Sequence, residues 1–149
     1  MAQPELELVL KAAGEPVRQE RLQEAVTSLV TLEGANPENL EVCALLGLVL
    51  FRLGRYPEAL PRYERLVRAN LADGVSRLNL GIVLLKLDRA EASISHLEAA
   101  RTLDPGQQKT VSYLGLAYAS AGRLADAYRA FCQVGQADLA REVGQSVSP

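Results

Sequence analysis

The chain has 149 residues, of which 48% are hydrophobic and 23% charged, and its formal net charge is −2. This composition is typical of a folded globular protein, and a nearly neutral charge argues against a nucleic-acid binder held by phosphate contacts. One histidine (His96) and two distant cysteines (Cys43 and Cys132) cannot form a Cys/His zinc site without carboxylate ligands. No paired acid and base, phosphate loop or metal cluster stands out, so we predict a non-enzymatic protein without a cofactor.

The sequence shows no targeting or membrane segment. Glu5 and Glu7 stand where a signal peptide carries positive charge, and no run of 18 uninterrupted apolar residues occurs. We therefore predict a cytoplasmic protein with no membrane insertion. The basic residues divide into 13 arginines and 3 lysines, which is typical of a high-GC bacterial coding bias and favours a bacterial source.

A constant spacing repeats along the chain: position 46 is as far from position 80 as position 80 is from position 114. It relates three Leu-Gly pairs, and the same spacing relates a row of arginines, a row of small residues and a row of bulky residues. Counting back from the small residue Ala59 by the same spacing gives another small residue, Ala25, so we predict a further, weaker copy before the other three. The members of the rows are Leu46-Gly47, Leu80-Gly81 and Leu114-Gly115; Arg55, Arg89 and Arg123; Ala59, Ser93 and Ala127; and Tyr63, Leu97 and Phe131.

Each copy has the apolar spacing of two helices. In the second copy, apolar residues from Val42 to Leu53 cover most of a helix surface, and residues 54–57 (Gly-Arg-Tyr-Pro) break it. A second, amphipathic helix follows from Ala59 to Val67, so the copy is predicted to be a helical hairpin. Pro61 falls inside this second helix, where it loses a backbone hydrogen bond and should kink the helix.

The C-terminal end departs from the repeat. Gly135 is predicted to end the last repeat helix early, and residues 137–143 form a further short helix. Leu139, Ala140 and Val143 would cover the last hairpin, while Asp138, Arg141 and Glu142 face water. An array of repeats needs such a cap.

The copies resemble the tetratricopeptide repeat. The second copy reads LGLVLFRLGRYPEALPRYERL and the fourth LGLAYASAGRLADAYRAFCQV, both close to the pattern of that family. The resemblance implies an all-α fold, a right-handed α-solenoid of four helical hairpins and a short capping helix. It covers nearly the whole chain as a single array, with repeats at 6–39 (degenerate), 40–73, 74–107 and 108–141 and the cap within 136–147.

The resemblance also implies how the hairpins pack. The glycine of each Leu-Gly pair and the small residue of the same copy face each other where the two helices cross. The bulky residue then fills space against the next hairpin. Cys43 and Cys132 are predicted to be buried or half-buried, and His96 to be a solvated surface side chain.

The first helix of each hairpin, here called the A helix, is implied to line a concave groove. The groove is predicted to be apolar with a basic edge, and Phe51 and Tyr113 are its preferred anchors for a partner. The family's carboxylate clamp needs asparagine at one position of each A helix, where this chain has Leu48, Ile82 and Leu116, so we do not predict a clamp. The predicted groove residues are Ala44, Leu48, Phe51, Arg52, Leu78, Ile82, Leu85, Lys86, Tyr113 and Leu116.

Three occupants of this groove remain open. It either receives a helical or extended apolar segment of a partner protein, or it is closed because Leu48, Leu78, Ile82 and Leu116 pack against neighbouring A helices, or it is filled by a terminus or a second copy of the chain. The leading prediction is a non-enzymatic adaptor for another protein. The alternatives are a chaperone for secreted or aggregation-prone substrates, similar to those of type III secretion translocators, and a scaffold that forms homo-oligomers.

Overall fold

The computed structural model describes residues 19–147, with side chains as far as residue 145. These residues form helices and turns, without a strand among them. The helices are α1 (Gln19–Ala35), α2 (Leu40–Arg52), α3 (Tyr56–Ala69), α4 (Gly74–Lys86), α5 (Ala90–Leu103), α6 (Gln108–Ser120), α7 (Leu124–Gln133) and α8 (Ala137–Val147). The predicted all-α class is confirmed, whereas the first helix of the degenerate copy, residues 6–18, lies outside the described residues.

The chain divides into two compact units at residues 69 and 70. In the first unit α2 packs against both α1 and α3. In the second unit each helix from α4 to α8 packs against the next, and α4 also contacts α6. The A helices are therefore α2 in the first unit, and α4 and α6 in the second.

The A helices begin at Leu40, Gly74 and Gln108, the same constant step that the sequence predicts. Side chains cap two of these starts. The Asn39 carboxamide oxygen accepts hydrogen bonds from the amides of residues 41 and 42, at 2.9 and 3.3 Å. The Asp73 carboxylate accepts from the amide of Ser76 at 3.0 Å. Each cap satisfies amides that have no partner within the helix, which is why Asn and Asp at these points start a helix.

The turn inside each hairpin is a Schellman motif. The amides of Arg55, Arg89 and Arg123 donate to carbonyls five residues earlier, at 2.9, 2.9 and 2.8 Å. This hydrogen bond requires a left-handed backbone conformation, with positive φ, at the residue immediately before the arginine. Gly54 and Gly122 supply it with φ values of 74° and 79°, whereas the middle copy uses Asp88 at 60°.

Replacement of Gly122 by alanine should destabilise the protein by about 1 kcal/mol, because a Cβ is strained at this positive φ although it would meet no atom. Gly34→Ala is the matched control. Gly34 is also in open space but lies within α1, where alanine should stabilise by up to about 1 kcal/mol. Urea unfolding followed by circular dichroism measures both, and equal effects of the same sign would contradict the role of backbone conformation.

Helices of a hairpin approach through glycine. A Cβ placed on Gly81 would lie 2.6 Å from Leu97 Cγ, and one on Gly115 would lie 2.7 Å from Phe131 Cδ1. The predicted close approach is confirmed, and in the middle copy the small residue lies against the glycine as predicted. The Ser93 hydroxyl donates to the Gly81 carbonyl at 2.6 Å, and the bulky residue of the same hairpin, Leu97, also packs against the glycine.

An ion pair joins the two outer helices of the first unit. The Arg62 guanidinium of α3 donates twice to the Glu33 carboxylate of α1, at 3.2 and 2.7 Å. Cys43 of α2 is buried beside this pair, and its thiol donates to the Arg62 carbonyl at 3.5 Å. Burial raises the pKa of the Cys43 thiol above its ordinary value, so it stays protonated at neutral pH.

The C-terminal helix caps the second unit as predicted. Gly135, at φ 74°, follows the end of α7, and α8 begins at Ala137. Ala140 is buried and Val143 half-buried, and Gly144 approaches the Tyr128 ring, with a placed Cβ 3.3 Å from Cε2. The predicted exposure of Asp138, Arg141 and Glu142 is confirmed.

The predictions for Cys132, His96 and Pro61 can also be compared with the structure. Cys132 of α7 is exposed, so its predicted burial is wrong, whereas the preceding residue, Phe131, is buried. His96 is half-buried on α5, not fully solvated as predicted. Pro61 lies inside α3, which continues past it to Ala69.

Candidate protein-interaction surface

In the first unit the predicted groove residues lie along one side of α2. Ala44, Leu48 and Phe51 are half-buried and Arg52 is exposed, at spacings of four, three and one residues. A spacing of three or four places side chains on neighbouring turns of the same helix face. This face therefore offers partly accessible apolar surface with one cation at its C-terminal end.

An aromatic cluster holds Phe51 in place. Its ring meets Tyr56 edge to face at 5.6 Å between centroids and Tyr63 at 6.5 Å, with interplanar angles of 79° and 86°. Such T-shaped pairs add about 0.5–1.5 kcal/mol beyond the area that they bury. Tyr63 is buried, which raises the pKa of its phenol, so this residue stays uncharged through the physiological range. Phe51 is thus a pre-organised apolar contact for a partner.

In the second unit the predicted residues have different environments. Leu78 is buried and Ile82 has no exposed surface, so both belong to the core of this fold. Leu85 and Tyr113 are half-buried, Lys86 is exposed, and 39% of Leu116 is exposed. The accessible part of the predicted set in this unit is therefore Leu85, Lys86, Tyr113 and Leu116, here called the A-helix surface of the second unit.

The A helices of the second unit are cationic. Helices α4 and α6 carry Arg77, Lys86 and Lys109 and no carboxylate. The carboxylates of this unit's helices lie on α5, α7 and α8, at Glu91, Glu98, Asp126, Asp138 and Glu142. The A-helix surface therefore combines accessible apolar side chains with the cation of Lys86, and Asp73 and Asp88 flank α4 at its two ends.

A polar network links α6 to α5. The Tyr118 hydroxyl donates to the Glu98 carboxylate of α5 at 2.7 Å, and the Arg123 guanidinium lies 4.7 Å from the centroid of the Tyr118 ring. Burial and the Glu98 carboxylate raise the pKa of Tyr118 to about 12, so this hydrogen bond persists at neutral pH. Arg123 also donates to Asp126 at 3.0 Å. The Arg129 side chain donates to the same carboxylate, and these bonds lower the pKa of Asp126.

The arginine row differs between copies. Arg55 and Arg123 pair with the carboxylates of Glu58 and Asp126, three residues later. The corresponding residue after Arg89 is Ala92. In these two copies the arginine is therefore paired with a carboxylate in the first turn of the second helix of the hairpin.

Sequence reasoning missed four exposed large hydrophobic residues of the second unit, one of which is Tyr128, 44% exposed. Leu71, Val75 and Leu103 are 64%, 71% and 44% exposed. They are not part of the predicted groove. A comparison with the neighbouring copies points to these three residues, because those copies have proline, charged residues or alanine there, although α8 has Leu139 and Val143 at the places of Leu71 and Val75.

The described residues were also considered for metal sites and for membrane-spanning helices. Between residues 19 and 147, no group of three or more His, Cys, Asp or Glu side chains is placed to hold a metal ion. Within the same range, no helix has both the length and the apolar character needed to cross a bilayer.

Comparison with known proteins decides the family. A family model described as tetratricopeptide repeat matches residues 11–70, 44–108 and 78–142, which together span most of the chain. The chain belongs to the tetratricopeptide repeat family. Repeats of this family form protein-interaction scaffolds, and the recognised repeat pattern is thereby confirmed, while the exact repeat boundaries stay predictions. A search of curated protein sequences gave no match.

Solved structures show the same fold. MamA from Desulfovibrio magneticus RS-1 has a TM-score of 0.81 at 23% identity, over 100% of this chain and 78% of that one. MamA of AMB-1 has a TM-score of 0.76 at 23% identity, over 97% and 76%. The first tetratricopeptide domain of Spaghetti (RPAP3), solved with the HSP90 peptide SRMEEVD, has a TM-score of 0.68 at 20% identity, over 74% and 94%. At these identities the likeness shows the fold, an all-α tetratricopeptide solenoid.

Proposed function

We propose that this tetratricopeptide protein is a non-enzymatic, cytoplasmic adaptor that binds a helical or extended apolar segment of another protein on its A helices. The supporting observation is the A-helix surface of the second unit, where Leu116 and Tyr113 are accessible beside Lys86, and the helices that carry them have no carboxylate. In the first unit, Leu48 and Phe51 offer a similar surface with Arg52 at its end.

The chemistry of the surface favours an amphipathic segment with acidic residues. Apolar side chains of the segment would cover Leu116 and Tyr113, and carboxylates near its ends would lie close to Lys86 or Lys109. Leu78 and Ile82 are outside the proposed surface because they are buried. The apolar row of Leu48, Ile82 and Leu116 gives no reason to propose the family's carboxylate clamp.

The binding test compares two exposed apolar residues. A partner is first isolated from lysate of the source cells on the immobilised chain, identified by mass spectrometry, and prepared in pure form. We expect Leu116→Glu to weaken its binding by at least about ten-fold in calorimetry, because a charge is placed in the centre of the contact. Val30→Glu, at a residue of α1 that is also exposed, should leave the affinity unchanged.

Two outcomes would contradict the proposal. If Leu116→Glu binds the purified partner as tightly as the natural chain, the partner does not use this surface. If Val30→Glu weakens binding equally, the loss of affinity comes from the added charge and not from its position on the A-helix surface. The identity of the partner tests the chaperone alternative, which predicts a secreted, aggregation-prone protein.

A further inference from the structure

The first copy lacks the turn that closes each of the other hairpins. In those copies the second helix begins directly after the turn arginine, as α3 does at Tyr56 after Arg55. The place of Arg55 in the first copy is held by Arg21. Helix α1 begins before that residue, at Gln19, so this copy is helical where the others turn. The turn that the repeat uses to reverse the chain is therefore absent at this place.

The sequence before α1 contains a short apolar pattern of its own. Residues 5–13, here called the N-terminal segment, read ELELVLKAA. Their apolar residues at positions 6, 9, 10 and 13 have the spacing of one helix face. Pro16 follows, and proline interrupts a helix because it has no amide to donate. The pattern thus predicts a short amphipathic segment that is separate from α1.

The start of α1 lies beside the end of α2. Residues 36–39 connect the two helices, which pack against each other, so the chain reverses its direction between them. The Arg55 guanidinium, just after the end of α2, donates to the side-chain oxygen of Gln23 in α1 at 3.3 Å. The N-terminal segment therefore joins the described chain beside the end of α2, where Phe51 and Arg52 lie.

One face of α2 matches the segment in length. We call this face the α2 face; it consists of Ala44, Leu48, Phe51 and Arg52. Its apolar part, from position 44 to position 51, extends about 10 Å along the helix, and positions 6 to 13 of a helical segment extend equally far. The chain from residue 13 to residue 19 can span up to about 20 Å. This length lets the segment lie along the whole α2 face.

The charges favour one direction of the segment on the α2 face. Arg52 is exposed and forms no ion pair with another described residue. Glu15 follows the segment closely, so with the segment parallel to α2 its carboxylate comes to the end at which Arg52 lies. Glu5 then comes to the start of α2, where the helix dipole favours a carboxylate although Glu41 also lies there.

We propose that the N-terminal segment binds the α2 face of its own chain, with the apolar side of the segment covering Leu48 and Phe51. The covalent connection favours this occupant over a second copy, because it holds the segment beside the face at an effective concentration of about 1 mM. A contact too weak to form between separate molecules then forms within one chain. The chain itself thus closes the α2 face, and the A-helix surface of the second unit stays open for a partner.

Hydrogen exchange of the full chain, followed by mass spectrometry, tests this contact. The amides of the N-terminal segment should exchange at least about ten-fold more slowly in the natural chain than in Leu48→Glu, because a carboxylate disrupts the apolar face beneath the segment. Ala44→Glu is a second variant of the same face and should act in the same direction. Val30→Glu, at an exposed residue of α1, should leave the exchange unchanged. Thermal unfolding should show the compared variants folded.

Cross-linking distinguishes the same chain from a second copy as the source of the segment. Val9→Cys and Leu48→Cys are combined in a chain with Cys132→Ser and treated with a short bis-maleimide. We expect an internally cross-linked monomer whose yield does not depend on protein concentration. The yield should fall strongly when Glu64→Cys, at an exposed residue of α3, replaces Leu48→Cys. Cys43 is buried and stays in every variant.

Three results would each overturn the proposal. Exchange of the segment that is as fast in the natural chain as in Leu48→Glu and Ala44→Glu would show that the segment does not bind the α2 face. An equal loss of protection in Val30→Glu would trace the effect to added charge alone. Cross-linked dimers in place of monomers would assign the face to a second copy. Leu116→Glu should leave both measurements unchanged, so failure of this contact and failure of the adaptor function are distinguishable.

Discussion

Ile82→Glu is expected to destabilise the fold by about 4 kcal/mol or more, whereas Leu116→Glu should change the free energy of unfolding by less than about 0.5 kcal/mol. The two residues occupy the same place in successive repeats. Ile82 has no exposed surface and 39% of Leu116 is exposed. A carboxylate at the first site is therefore buried without a partner, while at the second it reaches water.

Chemical denaturation of the two variants, followed by circular dichroism, measures this difference. Ile82→Val is the control, since it keeps the site apolar and should cost only about 1 kcal/mol. A folded Ile82→Glu variant with nearly natural stability would show that this residue lies on an open groove, which is one of the two alternatives that the sequence leaves open. The two glutamate variants also matter for binding studies, because only Leu116→Glu reports on the surface without unfolding the chain.

Alanine at the three glycines of the Leu-Gly pairs should have graded effects. A Cβ on Gly47 would lie 3.4 Å from its nearest neighbours, which is close to ordinary contact, and should cost less than about 1 kcal/mol. At Gly115 it would lie within 2.7 Å of Phe131 Cδ1, and the rigid ring is fully buried, so we expect a cost of about 3 kcal/mol. Gly81 should fall between them, because the Leu97 side chain can change rotamer.

Urea unfolding of Gly47→Ala, Gly81→Ala and Gly115→Ala measures the series. The cause at Gly115 is tested by the double variant Gly115→Ala/Phe131→Leu. If the clash with the ring is the cause, the double variant should lose less stability than the sum of the two single changes. Strict additivity, or equal costs at all three glycines, would contradict steric packing as the explanation.

The repeat frame illustrates what a sequence pattern predicts well. Helix starts at Leu40, Gly74 and Gln108 and left-handed turn residues at Gly54 and Gly122 depend on residues within a few positions along the chain. Caps, turns and apolar periodicity are local interactions, so a single sequence contains the information needed to place them. The same reasoning predicted α8 and the side of it that packs.

The candidate site was less predictable. Leu48, Ile82 and Leu116 look alike in the repeat frame, yet they are half-buried, fully buried and exposed. The exposure of Cys132 and that of Leu71, Val75 and Leu103 were also not predicted. Exposure of a residue depends on side chains from other helices, and the local pattern that defines a repeat does not specify those neighbours.

The sequence by itself determined the fold class, the repeat spacing and the positions of helices and turns, because these depend on interactions between residues close together in the chain. Only the tertiary structure decided which apolar residues remain accessible. Burial is a property of the packed helices, and each copy has different neighbours although its internal pattern is the same. For this tetratricopeptide protein, the accessible apolar residues include Leu116 and Tyr113 on the A-helix surface of the second unit, and Leu71, Val75 and Leu103 outside it.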